Sequence, residues 1–328
     1  MQGNANLKLA KLYCDEKYEV YINHFLNSDC HHLFNDPDYF KIHSVSSNDC
    51  YAQLVRCSDG VVFGTLMFHE VEAAVYASPG RGTFGGPSFI SELDLLVCEK
   101  FLKSTTDYLR RQGGREIRVR LAPVGHDISL FAITSNCLLR EGYLVERTEL
   151  NYETQINDIN FMDRVAHGTR KRIRKAKRDG FVCKHESFSA LPEIHQLLAE
   201  NRSRLGVSIS MSLDQLSQLR EVFPERVHLF AVYRDGTQQD MAAAAVCLAV
   251  STKILYVFYW GDADGMRSYS PVTLLASSIY EFGAKRGFTL LDAGTSTIDG
   301  EPNHGLVIFK RNLGFSESLK IEMVWREA

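Results

Sequence analysis

The sequence has no apolar stretch long enough to cross a bilayer, and no tract rich in proline or of low complexity. Its longest apolar run, MAAAAVCLAV, spans residues 241–250, whereas a membrane-spanning helix needs about 20 apolar residues. The first residues, MQGNANLKLAKLYCDEKYEV, lack the apolar core of a signal peptide. We therefore predict no integral membrane segment and expect a soluble, cytoplasmic protein.

Metal and redox motifs are also lacking. The eight cysteines are scattered with no C-x-x-C pair and no histidine at ligand spacing. This pattern predicts reduced thiols, mostly in core positions, and no metal site. The neighbouring His31 and His32 are expected to form a local surface or capping feature.

Acidic residues are missing from one window, residues 164–178, which includes most of the segment GTRKRIRKAKRDG. From Arg164 to Arg178 there are eight basic residues and no acidic one, although the chain as a whole has 37 Lys+Arg, 40 Asp+Glu and a net charge of -3. The acidic remainder should repel a long polyanion, which disfavours a general nucleic-acid binder. Apolar positions within the window recur at helical spacing and predict one helix, ended by Gly180, with basic outer faces. They are Val165, Thr169, Ile173 and Ala176.

A solvated helix face is the usual role of such a basic run. The lack of alternating acidic residues favours an anion-binding role instead.

At 328 residues the chain is long enough for two domains, and one order of elements occurs twice. CYAQLVRC, VVFGTLMFHE and AAVYAS predict a three-stranded meander in the first half, and RVHLFAVY, MAAAAVCLAV and KILYVFYW predict another in the second. Each meander is followed by a helix predicted to start at a proline, Pro87 or Pro271, then by a strand, a short helix and a last strand. In the second half Ser270 is expected to cap the helix.

An offset of 172 residues aligns the two halves, for example Gly142 with Gly314 and Tyr143 with Phe315. We therefore predict an α/β (α+β) fold of two duplicated units, at residues 1–155 and 156–328, each a mixed, mainly antiparallel sheet flanked by helices.

This order of elements resembles the GNAT superfamily of acyltransferases, and two such units in tandem resemble the Fem family of aminoacyltransferases. The segments that carry the resemblance are HGTRKRIRKAKRDG and GFTLLDAGTSTIDGEPNHGLVIFKRNLGF, with looser matches in CHHLFNDPDYF and GTFGGPSFISELDLL. The chain has no room for the coiled-coil hairpin that cell-wall members often carry. It is similar in this respect to acyltransferase domains of polysaccharide and cellulose biosynthesis. The resemblance implies N-acyl transfer and leaves the donor open between acetyl-CoA or another acyl-CoA and an aminoacyl-tRNA.

The two halves carry different charges at a few aligned positions, and an active site present in only one half would produce such differences. At the 172-residue offset, Lys310 and Arg311 replace Leu138 and Leu139, and Asp292 replaces Arg120. We therefore place the active site in the second unit. Asp292 is the candidate to orient or accept the amine proton, with a turn or helix-cap role as its alternative.

The resemblance suggests that Lys310 meets the donor phosphate or the developing oxyanion, and a surface lysine near a helix end is the alternative. Further candidates are Tyr259, Tyr269 and His304 for general acid catalysis or donor contact, and Arg311 for substrate binding.

The loop GDADGMRSYSP corresponds to the place where a GNAT enzyme holds the pyrophosphate of coenzyme A. It lacks the usual Arg/Gln-x-x-Gly-x-Gly/Ala signature, but Arg267, Ser268 and Ser270 still offer contacts for a phosphate. The weak signature keeps the aminoacyl-tRNA donor open.

We predict an N-acyltransferase acting on a small-molecule or lipid-linked phosphorylated acceptor, such as a cell-envelope or sugar-nucleotide precursor. Arg170, Lys171 and Arg174 are predicted to bind the phosphates of this acceptor. The alternative is a binding module that keeps the duplicated fold without catalysis, and intact Asp292 and Lys310 count against it.

Overall fold

The computed structural model describes residues 7–28, 32–90, 94–234 and 240–327. The predicted local feature at His31 lies outside the described residues. Two compact units are present, one formed by Met1–Leu150 together with Ser318–Ala328 and the other by Asn151–Glu317. The division predicted from sequence, 1–155 and 156–328, assigned residues 318–328 to the second unit, whereas in the structure they belong to the first.

The first unit is built on an antiparallel sheet whose strands run in the order β1, β2, β3, β4, β5, β7 and β16, with only β5 and β7 parallel. Helices α2 and α3 pack against each other beside this sheet. The elements are β1 (Ala10–Tyr13), β2 (Tyr18–Ile22), α1 (Pro37–His43), β3 (Cys50–Arg56), β4 (Val62–Glu72), β5 (Val75–Ser78), β6 (Ser88–Phe89), α2 (Leu95–Arg111), β7 (Glu116–Arg120), α3 (Ile128–Arg140), β8 (Leu144–Gln155) and, from the other end of the chain, β16 (Ser316–Arg326).

The second unit repeats this plan. Its strands run in the order β13, β12, β11, β10 and β9, with only β12 and β13 parallel, and residues 151–155 of β8 pair with β13 on its other side. Its elements are α4 (Phe161–Arg164), α5 (His167–Arg178), β9 (Phe181–Glu186), α6 (Leu191–Arg204), α7 (Leu213–Val222), β10 (Val227–Arg234), β11 (Met241–Ala249), β12 (Ile254–Asp262), α8 (Pro271–Lys285), β13 (Leu290–Thr295), β14 (Thr297–Ile298), β15 (Glu301–Pro302) and α9 (His304–Asn312).

The predicted fold class is confirmed. In each unit a parallel pair follows the meander, β5 with β7 in the first and β12 with β13 in the second. The long apolar run MAAAAVCLAV is the central strand β11, which lies between β10 and β12 and contacts both α6 and α8. A strand covered on both faces has no polar face, so its sequence does not alternate.

The basic window forms helix α5 as predicted. Thr169, Ile173 and Ala176 are buried, and most of the charged positions face outward. The turn after the helix contains Gly180 at φ +85°, a left-handed conformation that glycine adopts without steric cost.

Two local predictions about the helix starts are wrong. Helix α2 begins at Leu95, with the Asp94 side chain accepting a hydrogen bond from the Leu96 N–H, because residues 88–89 after Pro87 form β6 and pair with β4 instead. Ser270 occupies the cap position of α8, but its side chain makes no capping bond. Its backbone lies in the left-handed region at φ +56°, outside the extended conformation of a usual cap residue.

No helix among the described residues is long and apolar enough to cross a membrane. The cysteines that the structure describes are free thiols, and most of them are buried.

The buried His43 in the first unit makes stability depend on pH. Its side chain stacks on Tyr39 with 4.6 Å between ring centroids and is 8% exposed, and burial, with smaller effects of His69 and Arg81, lowers its pKa to about 4. An unfolded histidine takes up a proton near pH 6.5, so the stabilisation is present above pH 6.5 and is lost as the pH falls through 4. The free energy of unfolding should fall between pH 7 and pH 4, and we expect this fall to be about 3 kcal/mol smaller in His43→Phe than in wild type. Urea unfolding between pH 7 and pH 4 measures it. The exposed His304→Gln is the control, and equal acid loss in wild type and His43→Phe would contradict the prediction.

Candidate active site

A buried lysine lies at the centre of the second unit. Lys310 in α9 is 1% exposed, and its Nζ donates hydrogen bonds to the carbonyl oxygens of Gly294 and Thr295 at 2.8 and 2.7 Å. The Tyr152 ring lies beneath the ammonium, 5.6 Å from Nζ to the ring centroid. Lys310 therefore ties the carboxyl end of β13 to helix α9.

Asp292 belongs to the same cluster. It is fully buried within β13, and its Oδ1 accepts hydrogen bonds from Asn151 Nδ2 at 2.9 Å and from the Gly294 N–H at 2.7 Å. Burial lowers the pKa of the Lys310 ammonium to about 7, and the Asp292 carboxylate offsets only part of this effect. An amine with a pKa near 7 gains or loses its proton at the pH of the cell.

A cleft of about 430 Å³ lies in the same unit. It is bounded by the end of β12, the starts of α8 and α9, the end of α6 and one side chain of α5. The residues that line it are Arg172, Asn201, Leu205, Trp260, Gly261, Asp262, Arg267, Ser270, Val272, Thr273, Asn303, Gly305, Leu306 and Phe309. We call it the α8 cleft.

Two helix starts border the α8 cleft. At the start of α8, the Thr273 N–H bonds back to the Ser270 carbonyl at 3.0 Å, while the Val272 N–H has no backbone acceptor within the described residues. At the start of α9, Asn303 caps the helix by accepting from the Leu306 N–H at 3.1 Å. Helix starts carry partial positive charge, so this cleft favours an anion.

The charged side chains of the cleft strengthen this preference. Arg172 and Arg267 line it, and neither has a carboxylate partner within the described residues. Asp262 is already engaged, since its Oδ1 accepts from Asn201 Nδ2 at 2.9 Å and lies 3.8 Å from the Arg204 guanidinium. The two arginines are thus available for a negatively charged ligand.

Close packing fixes the wall formed by β12. A Cβ added to Gly261 would lie 2.6 Å from atoms of the Asn201 side chain, so any larger residue there would displace Asn201 from its bonds to Asp262. Trp260 packs edge-on against Phe309 at 5.8 Å. The wall therefore keeps one shape.

The structure brings only two of the residues predicted from sequence to the α8 cleft, Arg267 and Ser270. Asp292 and Lys310 are buried and do not line it. His304 is exposed at the first position of α9 and is not a lining residue. The surface-lysine alternative does not fit Lys310, which is buried. Asp292 lies within β13 and also accepts from the N–H two residues further on, as a turn residue does, so the turn alternative describes part of its contacts.

The remaining predicted residues lie elsewhere in the unit. Tyr259 is buried, and its hydroxyl accepts from the Met211 N–H at 3.0 Å. Tyr269 packs on Phe181 and under the Arg234 guanidinium. Arg311 forms an ion pair with Glu317.

The predicted acceptor contacts lie on α5. Lys171 and Arg174 are exposed and Arg170 is half-buried. Their neighbour Arg172 is the α5 residue that lines the cleft.

Sequence reasoning missed Arg172, Trp260, Asp262 and Asn303. Asn303 had a readable signal, because asparagine before an apolar helical segment is a common cap. Arg172 had none, because the basic residues of α5 look alike in the sequence and only packing decides which one enters the cleft.

Among the residues that the structure describes, no group of three or more His, Cys, Asp or Glu side chains is arranged to hold a metal ion.

Residues 164–303, from the end of α4 to the cap of α9, match the family model described as an acetyltransferase (GNAT) domain. The resemblance to GNAT and Fem-type proteins predicted from the sequence is thereby confirmed, and the second unit has the fold of an acyltransferase.

The whole chain is similar to solved structures of this fold. FemX covers 90% of this chain and 92% of its own length at 13% identity, with a TM-score of 0.66. L-PGS from Bacillus licheniformis covers 89% and 92% at 13% identity, with a TM-score of 0.55. A tandem GNAT protein from the clavulanic acid biosynthesis pathway covers 87% and 85% at 10% identity, with a TM-score of 0.51. No curated protein sequence matches the chain significantly.

Proposed function

We propose that the protein transfers an acyl or aminoacyl group from an activated donor to an amine, and that the donor's phosphate groups bind in the α8 cleft. The observation that carries this proposal is the pairing of two helix starts with the unpaired guanidinium groups of Arg172 and Arg267 in one cleft. A pyrophosphate fits this set, because the Val272 N–H and the two guanidiniums supply donors to its oxygens. Acyl-CoA carries a pyrophosphate, which the pantetheine arm separates from the thioester, and aminoacyl-tRNA carries phosphodiesters at its acceptor end. Both donors therefore offer phosphate oxygens to such a cleft.

The buried pair is proposed to position the site rather than to touch the substrate. Lys310 holds the carbonyls at the end of β13, and Asp292 holds the Gly294 N–H and the β8 side chain Asn151. These contacts fix the loop that leads from β13 into α9, whose start borders the α8 cleft. Positioning of the reactants supplies much of the rate enhancement in acyl transfer.

The proton of the acceptor amine is proposed to leave to Oδ2 of Asp262, the carboxylate oxygen with no hydrogen-bond partner among the described residues, or to a water bound beside it. Asp262 is the one carboxylate among the described lining residues of the α8 cleft. The neutral amine then attacks the carbonyl carbon of the donor, the new C–N bond forms, and the C–S or C–O bond to the donor breaks. The leaving thiolate or alkoxide takes up the proton that Asp262 or its water received, so the step balances. Only about one part in a thousand of an amine with a pKa near 10 is neutral at pH 7, so removing this proton costs roughly 4 kcal/mol without a base.

Identifying the donor tests the proposal directly. The purified protein is mixed with acetyl-CoA, longer acyl-CoAs or aminoacyl-tRNA, and binding is measured by thermal shift and equilibrium dialysis for wild type and for Arg267→Ala. We expect one donor class to bind wild type and to bind the variant at least tenfold more weakly. Equal binding of every donor to both proteins would refute the α8 cleft as a donor site.

The acceptor is proposed to be a phosphorylated small molecule or a lipid-linked precursor that binds the outer face of α5. We expect the triple change Arg170→Ala, Lys171→Ala, Arg174→Ala to weaken acceptor binding more at low salt than at high salt, because exposed charges are screened over about 10 Å at 0.1 M. Acceptor dissociation constants at 20 and 300 mM salt measure this effect, with UDP-sugars as first probes. A change of Lys253 to Ala, far from α5 in the sequence, serves as the control, and an unchanged dissociation constant in the triple variant would rule out this contact.

A further inference from the structure

A second cleft lies at the other end of helix α8. Helix α8 is 15 residues long, which gives a length of about 22 Å between its ends. Its first turn borders the α8 cleft, whereas Arg286, the residue that caps its last turn, lines a separate cavity of about 130 Å³. This cavity is bounded by the end of β9, the end of α7 and the start of β10. We call it the Arg286 cleft.

Basic and aromatic side chains form the Arg286 cleft. Several of these side chains pack on the ring of Phe282. The rings of His185 and His228 lie 4.7 and 4.9 Å from it between centroids. The Arg286 guanidinium lies 5.4 Å from its centroid. Across the cavity, the Arg220 guanidinium lies 5.7 Å from the centroid of Phe188. Within the described residues neither guanidinium has a carboxylate partner. Aromatic rings hold the two cations in place without neutralising them.

His228 supplies a second and independent sign of a ligand. It is 7% exposed, lines the cavity and has no hydrogen-bond partner within the described residues. Buried polar groups in folded proteins are nearly always paired. Burial lowers its pKa to about 4, and the nearby positive groups His185, Arg286 and Arg220 add to this shift. His228 is therefore neutral at pH 7, and the positive charge beside it comes from Arg220 and Arg286.

Two carboxylates are also present at the cavity. Glu186 interacts with the Tyr233 hydroxyl, and Glu225 is exposed. Neither is paired with Arg220 or Arg286 within the described residues, and the buried Oε1 of Glu186 has no hydrogen-bond partner there. The two guanidiniums therefore keep their donors free for a ligand, while the carboxylates offset part of their positive charge.

We propose that the Arg286 cleft binds a phosphoryl group between the guanidiniums of Arg220 and Arg286 and the imidazole N–H of His228. A dianion suits this arrangement, because two guanidiniums and one neutral imidazole supply several donors to one set of oxygens. The phosphoryl group comes either from free phosphate or from a phosphomonoester. An adjoining cavity of about 300 Å³ shares Glu225, His228 and Arg286 with the first and has room for the organic part of an ester. The site is distinct from the α8 cleft and does not depend on its proposed function.

The test uses the imidazole resonance of His228 in the intact protein, because this ring lines the proposed site. The His228 signal is assigned by its loss in His228→Gln, and it is followed by long-range ¹H–¹⁵N correlation spectra at constant ionic strength and pH 7.5. Inorganic phosphate and ribose 5-phosphate are titrated as probes, with sodium acetate as a monovalent comparison. We expect saturable shifts of His228 with at least one phosphoryl probe and a dissociation constant at least tenfold lower than that of acetate.

Variants decide whether the shift arises from the proposed contacts. Arg220→Gln and Arg286→Gln each should weaken the binding at least tenfold, whereas Lys285→Gln, which removes an exposed charge from the same helix end, should leave it within twofold. Tighter binding of ribose 5-phosphate than of phosphate identifies a phosphomonoester, and the reverse identifies free phosphate. The proposal is overturned if His228 does not respond to either probe, if acetate acts as strongly, or if Lys285→Gln weakens binding as much as the arginine variants.

Discussion

Replacing Lys310 with alanine is expected to lower the free energy of unfolding by about 3 to 5 kcal/mol. The change removes a long buried side chain, which leaves a cavity, and it leaves the carbonyl oxygens of Gly294 and Thr295 without the donor that now satisfies them. Lys310→Met keeps most of the volume and removes only the donor, so it should cost less than Lys310→Ala. Urea unfolding of the two variants separates the packing contribution from the hydrogen bonds.

The lowered pKa of Lys310 gives this experiment a second readout. An unfolded lysine releases its proton near pH 10.5, whereas burial brings the folded value to about 7. Between these values the unfolded state binds more protons, so the stability of wild type relative to Lys310→Met should rise as the pH increases from 7 to 9. Lys285→Ala, at an exposed position, should show no such trend. A difference that stays constant with pH would mean that Lys310 keeps an ordinary pKa.

Activity distinguishes a positioning role from direct contact with the donor. Because Lys310 is buried and does not line the α8 cleft, we expect Lys310→Met to lower turnover while the KM for the donor changes less than about threefold. A large rise in the donor KM with little loss of stability would instead place the ammonium on the donor, as the family resemblance suggested.

Replacing both Arg172 and Arg267 with alanine is expected to raise the donor dissociation constant about 10²-fold or more. Each hydrogen bond to a charged group is worth about 1.5 to 3 kcal/mol, and neither guanidinium supports the fold through an ion pair in the described residues. Binding of the donor to wild type and to both single variants, measured by isothermal titration, checks the size of each contribution.

The matched control for this double change is Arg178→Ala, an exposed residue at the end of the same helix as Arg172. It should bind the donor as wild type does. Unchanged donor binding in the double variant would remove the α8 cleft from the reaction, whatever the activity of the protein.

The sequence was sufficient to predict the fold class, because the strands of the two meanders are recognisable as alternating or continuous apolar segments separated by turns. It also placed helix α5 through its buried stripe of Thr169, Ile173 and Ala176. It failed at the start of α2, where Pro87 suggested a helix and strand pairing determined the structure instead. Sequence also gave no sign that β16 belongs to the first unit, because strand pairing between distant segments leaves no local pattern.

The site was less accessible to sequence reasoning. Arg267 and Ser270 were found because they precede a recognisable helix start. Asp292 and Lys310 were chosen because charge at these positions distinguishes the two halves, and the structure shows that both are buried. Whether a charged side chain is buried among backbone carbonyls or faces a cleft depends on packing around it. A comparison of the two halves cannot separate these cases.

The return of β16 to the first unit has a consequence for the order in which the protein folds. Arg120 of β7 is bonded to Glu322 of β16, 202 residues further along the chain, so the first sheet lacks its strand beside β7 until almost the whole sequence has been synthesised. Closing so large a loop slows folding. During synthesis the unpaired edge of β7 is therefore exposed for as long as the second unit takes to emerge from the ribosome, and this edge is the place where a chaperone would act or aggregation would begin.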